Sequence, residues 1–158
     1  MCLNGLQEWS QSNDSAVLYL HAKGVSRVRK RRNVWGWRKM LEHFTVENHE
    51  RCLKKMEGAD TVGGNLCICN RKSVRECQTP GHGMHYSGNF WWARTQYLRS
   101  LPKIDEDARL DVNGNYIRYT EYWLLSAFPR VRCAVAFKTK GPHYYDREPE
   151  KDFRESWV

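Results

Sequence analysis

His85-Tyr-Ser-Gly-Asn-Phe-Trp-Trp-Ala-Arg-Thr-Gln-Tyr-Leu-Arg-Ser-Leu-Pro102 sets a polar, backbone-exposing turn directly against three consecutive aromatics. A core strand has no need of the turn, and a surface loop has no use for two tryptophans. A binding cleft has a use for both. Three successive aromatics cannot all point the same way, so part of Phe90, Trp91 and Trp92 is core. The periodicity after Trp91 predicts a helix through Leu98, stopped at Pro102. The turn before it would then present backbone N–H groups at a helix start.

Working outward, Ala16–Gly24 contains a continuous apolar run, Val17–Leu20, of the kind found in buried parallel strands. Upstream, Leu3, Leu6 and Trp9 have the spacing of one helical face. Downstream, Trp37, Met40, Leu41, Phe44, Cys52, Leu53 and Met56 predict a helix closed at Gly58. Ala59–Cys69 reads as a second strand interrupted by Gly63-Gly64, a pair that marks a close approach. Residues 70–84 and 104–115 read as loops. Arg118–Phe128 predicts a helix and Val131–Phe137 a last strand. Helices alternating with buried strands predict an α/β fold, a mostly parallel sheet with flanking helices, and the Leu18 and Val62 strands adjacent in it. Ligands of such sheets bind at the strands' carboxyl ends, where His21, Lys23 and Gly24 lie.

The 158 residues suit a single domain, residues 1–158, and 28% charged content suits a globular chain. No apolar run is long enough for a bilayer span, and the N-terminus lacks a signal-peptide pattern, so a soluble, cytoplasmic protein is expected. The net charge is +8. Lys23–Lys39 holds eight Lys or Arg residues and no acid. That block suits nucleic acid, phosphate groups, an anionic membrane or plain solvent. Of the six cysteines, Cys67, Cys69 and Cys77 lie near His82 and His85. Cys-x-Cys spacing is unusual for zinc, and reduced, partly buried thiols are the expectation.

Five blocks together carry a resemblance: VLYLHAKGVS, WGWRKMLEHF, DTVGGN, HYSGNFWWARTQYLRSLP and RYTEYWL. In this order they resemble the small GT-A-like glycosyltransferases of bacteria and large algal viruses, over about residues 1–130. The resemblance implies a Rossmann-like GT-A sheet, N-terminally incomplete here because the family's nucleotide-binding βαβ half would precede Met1. It implies transfer of a sugar from a nucleotide-sugar donor to a glycan or other hydroxyl acceptor.

Such a transfer, if inverting, needs charge neutralisation at the leaving diphosphate, a general base on the acceptor hydroxyl, and in-line placement. The resemblance puts the base at Glu121, with Asp60 a weaker candidate. It puts donor and acceptor contacts at His21, Lys23, Gly24, His85, Ser87, Gly88, Asn89, Trp91, Trp92 and Arg118. Asp105-Glu106-Asp107 reads as solvated, so no metal ligand is expected in this chain. A Mn2+ or Mg2+ ion would take its ligands from outside it. A helix N-terminus is expected to stabilise the Glu121 carboxylate. Two other readings stay open: a basic nucleic-acid-binding protein, and a non-catalytic truncated relative.

Overall fold

The computed structural model describes residues 2–21, 31–68, 84–104, 117–127 and 130–138, leaving the side chains of 31–33, 68 and 117–119 undescribed. The elements in order are α1 (Cys2–Ser10), β1 (Ala16–Tyr19), α2 (Arg31–Glu42), a π-helical turn (His43–Glu47), α3 (His49–Lys55), β2 (Thr61–Gly64), β3 (Leu66–Ile68), β4 (Met84–Tyr86), β5 (Trp91–Arg94), α4 (Thr95–Arg99), α5 (Ile117–Trp123) and β6 (Cys133–Phe137).

Four strands form one sheet in the order β1-β5-β2-β6, and β3 and β4 form a separate two-stranded ribbon. β5 runs antiparallel to both β1 and β2, whereas β2 and β6 are parallel. The fold is thus mixed α/β, and the expectation of a mostly parallel sheet is corrected. The Leu18 and Val62 strands share the sheet and its direction, but they are not adjacent: Trp92 pairs with both Leu18 and Val62 from between them.

The cause lies in the opening stretch. Trp91–Arg94 is a strand, not the start of a helix, and the helix begins only at Thr95. Burial alternates along it, with Trp91 and Ala93 buried and Trp92 and Arg94 half-buried. That period of two fits a strand flanked on both edges and covered on both faces. One face receives Trp91 and Ala93 with Leu3, Tyr86, Tyr97, Leu98, Trp123 and Leu124. The other receives Phe90 and Trp92 with Trp37, Leu41, Phe44, Val62 and Phe137. The aromatic triplet therefore divides between two cores, and helices cover the sheet on both sides.

The paired glycines are explained by the same layering. A Cβ on Gly63 would sit 2.3 Å from the Tyr86 ring, and one on Gly64 would sit 2.2 Å from Phe137. Two aromatic rings lie flat on opposite faces of β2, which only glycine permits. Tyr86 then reaches across, its hydroxyl 3.0 Å from the Thr61 hydroxyl and donating to the Ala134 carbonyl at 3.0 Å. The chain breaks from sheet to ribbon at Asn65, whose φ is +45°, and not at the glycines.

The long amphipathic segment is one layer but not one helix. It begins at Arg31, ahead of Trp37, and widens into the π-helical turn at His43–Glu47. The carbonyls displaced there find side-chain donors. Thr45 Oγ1 donates to Leu41 O at 2.7 Å, and Cys52 Sγ to Phe44 O at 3.2 Å. Trp92 Nε1 donates to Thr45 O at 2.8 Å, tying the layer to β5. Burial pushes the Cys52 thiol up to about 11, so it stays a neutral donor. In α1 the buried positions are Leu3, Gln7 and Ser10, whereas Trp9 faces out. Gln7 turns inward because its amide donates to the Leu101 carbonyl. Among the described residues, no helix is long and apolar enough to cross a membrane.

Candidate active site

Because β5 is antiparallel to its neighbours, its start lies beside their ends: Trp91 pairs with Tyr19 and with Gly63. The carboxyl ends of β1, β2 and β6 and the Ser87–Asn89 turn therefore share one edge of the sheet. His21 is exposed just beyond β1. Asn65 follows β2, donating its N–H to Phe137 O at 2.9 Å and accepting from Ser87 N–H at 3.2 Å. One residue thus fastens β6 and the turn to the end of β2.

Among the described residues, positive φ occurs at Asn65 (+45°), Gly88 (+91°) and Asn89 (+58°), all on this edge. Asparagine accepts that region at modest cost, and its clustering points to a held geometry. Gly88 has a packing reason as well. A Cβ there would lie 2.6 Å from Leu41 Cδ1 and 3.1 Å from Trp37 Cζ2. The glycine admits helix α2, where close approach of a ligand was expected.

The remaining turn residues are held from within. Ser87 and Asn89 are 5% and 4% exposed. Asn89 N–H donates to Tyr86 O at 3.1 Å, and Asn89 Oδ1 accepts from Trp91 Nε1 at 2.7 Å. Trp91 is 1% exposed and stacks on Tyr19 with centroids 4.8 Å apart. A sugar could reach its face only by displacing Tyr19. Trp92 is committed to the opposite core. The turn leads into a strand, so its expected place at a helix start is corrected.

Glu121 arrives from the other direction. Helix α5 packs on β4, with the Tyr122 ring edge-on to His85 at 5.1 Å and 82°. Both residues are half-buried, as is Glu121. Glu121 is adjacent in sequence to Tyr122, the residue that touches His85 two positions before Ser87. Glu121 lies in the last turn of α5, not the first, and the dipole effect fades beyond the first turn, so the expected helix N-terminal stabilisation falls away. Tyr122 and Asn65 are the additions to the sequence-read set. Their signals were an aromatic beside the acid, and an asparagine after two glycines.

Asp60, the weaker base candidate, sits at the opposite edge. Its Oδ1 accepts from Arg132 Nη2 at 2.8 Å, and its Oδ2 from Arg132 N–H at 2.9 Å. These bonds hold the start of β6 to the start of β2. The Arg132 side-chain hydrogen bond holds the Asp60 carboxyl below its ordinary range, against a smaller upward push from burial. The folded state thus binds fewer protons than the unfolded chain as the carboxyl titrates, so its contribution is present above the unfolded value and fades as pH falls through the depressed one. Thermal unfolding of Asp60→Asn should show a shallower loss of Tm than wild type on acidification below about pH 4. Parallel curves would contradict this.

Lys23, Gly24 and the Arg118 side chain lie outside the described residues, as do Asp105–Asp107. So do Cys69, Cys77 and His82, although Cys67 pairs in register with His85. Among the described residues, no group of three or more His, Cys, Asp or Glu side chains is placed to hold a metal. His21, His85 and Glu121 thus offer at least partly exposed hydrogen-bonding groups and one carboxylate, types suited to hydroxyl-rich ligands and proton transfer, whereas Ser87 and Asn89 are enclosed.

No curated protein and no solved structure matches the chain. Residues 1–113 match the model of a domain of unknown function, DUF8361, and the chain belongs to that family.

Proposed function

We propose that this chain carries the site of a GT-A-like glycosyltransferase, moving a sugar from a nucleotide-sugar donor to a hydroxyl acceptor. The observation that supports this reading most is the gathering of three strand carboxyl ends, His21 and the Ser87–Asn89 turn on one sheet edge. Ligands of open α/β sheets bind at that edge. In this reading His21 and Lys23 meet the donor diphosphate, whose charge suits cationic donors. His85 bonds sugar hydroxyls, and the enclosed Ser87 and Asn89 hold the turn in shape beside them. Glu121 takes the proton of the attacking acceptor hydroxyl, Arg118 steadies the donor, and Tyr122 offers an aromatic surface for C–H faces. Any Mn2+ or Mg2+ would neutralise the leaving diphosphate; the described residues do not form its ligand set.

The test is turnover. The purified chain, and the full reading frame that contains it, are incubated with UDP- and GDP-hexoses, divalent metal and a panel of glycoside acceptors. Release of nucleoside diphosphate with a new glycosidic bond is expected. Absence of transfer and of donor hydrolysis with every pair would overturn the proposal.

A further inference from the structure

We infer that the outer face of α2 is a docking surface for an anionic lipid bilayer. The inner positions of this helix, Val34, Trp37, Met40 and Leu41, are buried, the last three in one cluster with Val62 and Phe137 of the sheet. Its outer side carries Trp35, 48% exposed, with the Arg38 and Lys39 side chains 41% and 47% exposed. Lys39 Nζ stands 5.7 Å from the centroid of the Trp35 ring. Arg31 and Arg32 occupy the first turn of the same helix, and Glu42 is its one carboxylate. Glu42 pairs with Arg38 at 3.2 Å and with Lys39 at 3.9 Å, which leaves the helix cationic.

An indole left half in water on an otherwise polar face gains from the headgroup boundary, where its apolar body and N–H are both accommodated. Arg38 and Lys39 on this face meet lipid phosphates and serine carboxylates, and a helix whose sequence holds four Lys or Arg residues has the charge to recognise anionic lipid. The helix is anchored in the core through Trp37, Met40 and Leu41, so its exposed side is that of a packed helix and not a groove that tracks a strand of nucleic acid. The ammonium over the Trp35 ring also occupies a face that a base would need. This inference does not rest on the transferase reading, although the inner side of α2 packs against Gly88 of the carboxyl edge.

Co-sedimentation decides it. The full chain is mixed with vesicles of phosphatidylcholine alone, or of phosphatidylcholine with about one-third phosphatidylserine, at low and high salt. The chain should pellet with the anionic vesicles only, and salt should release it. Lys39→Ala should weaken binding about fivefold. Trp35→Ala should weaken it as well, and lower the salt concentration at which the chain is released. Both side chains are exposed, so both variants should keep the wild-type Tm. A chain that stays in the supernatant with anionic vesicles would overturn the inference, as would variants that bind as tightly as wild type. A single-stranded oligonucleotide that strips the chain from vesicles, with its own binding dependent on Trp35, would reassign the surface to nucleic acid.

Discussion

Glu121→Gln is expected to lower the rate of sugar transfer by roughly 10²–10⁴-fold while leaving donor binding near its original strength. The amide keeps the shape of the side chain and its capacity to accept a hydrogen bond. It cannot take the acceptor's proton, and that transfer is needed only in the transition state. Lys23→Ala should behave differently, because its proposed partner, the diphosphate, is present in the ground state too. That variant should mainly raise the donor KM. Steady-state kinetics of the two variants therefore separate turnover from binding. Near-normal turnover in Glu121→Gln would remove Glu121 as the base. Asp60 would not replace it, since Asp60 is bonded to Arg132 at the far edge of the sheet.

The largest expected effect on stability is at Gly63. A methyl there would lie 2.3 Å from the Tyr86 ring, which is 2% exposed and anchored through its hydroxyl to Thr61 and Ala134. The ring cannot swing away without leaving that hydroxyl unpaired in the core. Overpacking at such a site costs about 1–3 kcal/mol or more, so Gly63→Ala should lower Tm by many degrees or prevent folding. Gly63→Ala combined with Tyr86→Leu should cost less than the sum of the single changes, because the second substitution removes the obstruction. Additive costs, or a Tm of Gly63→Ala within about a degree of wild type, would contradict the packing.

The sequence disclosed several of these features through local chemistry. The apolar run at Val17–Leu20 does form a strand, Ala16–Tyr19, but at the sheet's edge and only half-buried; the stripe from Trp37 to Met56 forms one layer split among three helical segments; and the expected Val131–Phe137 strand is present as Cys133–Phe137. Gly63-Gly64 correctly announced a close approach, although the approaching groups, Tyr86 and Phe137, come from elsewhere in the chain. Trp91–Arg94 misled because four residues are too few to distinguish the two periods beside a following helix. Its strand character comes from pairing with β1 and β2, long-range contacts that no local pattern displays. With β5 misread, the sheet looked parallel and its two visible strands looked adjacent.

The candidate site was legible in a similar measure. The Ser87–Asn89 turn and His21 share the sheet's carboxyl edge, as a strand-end argument suggests. The stretch did not reveal that Trp91 would be spent on Tyr19, nor that Gly88 would admit Leu41. Asn65 passed unremarked because its importance is conformational: a positive φ and two backbone bonds join β6, β2 and the turn. The Glu121 helix ended sooner than its pattern indicated, which moved the acid from the first turn to the last.

The most direct test of the central claim is a backbone amide NMR titration of the chain with nucleotide-sugar donors and glycoside acceptors. The account predicts shifts concentrated at His21, Asn65, His85, Gly88, Asn89 and Glu121, with Asp60, Arg94 and Arg132 unmoved at the other edge. Shifts centred on Asp60 and Arg132, or no saturable shift with any donor or acceptor, would contradict it.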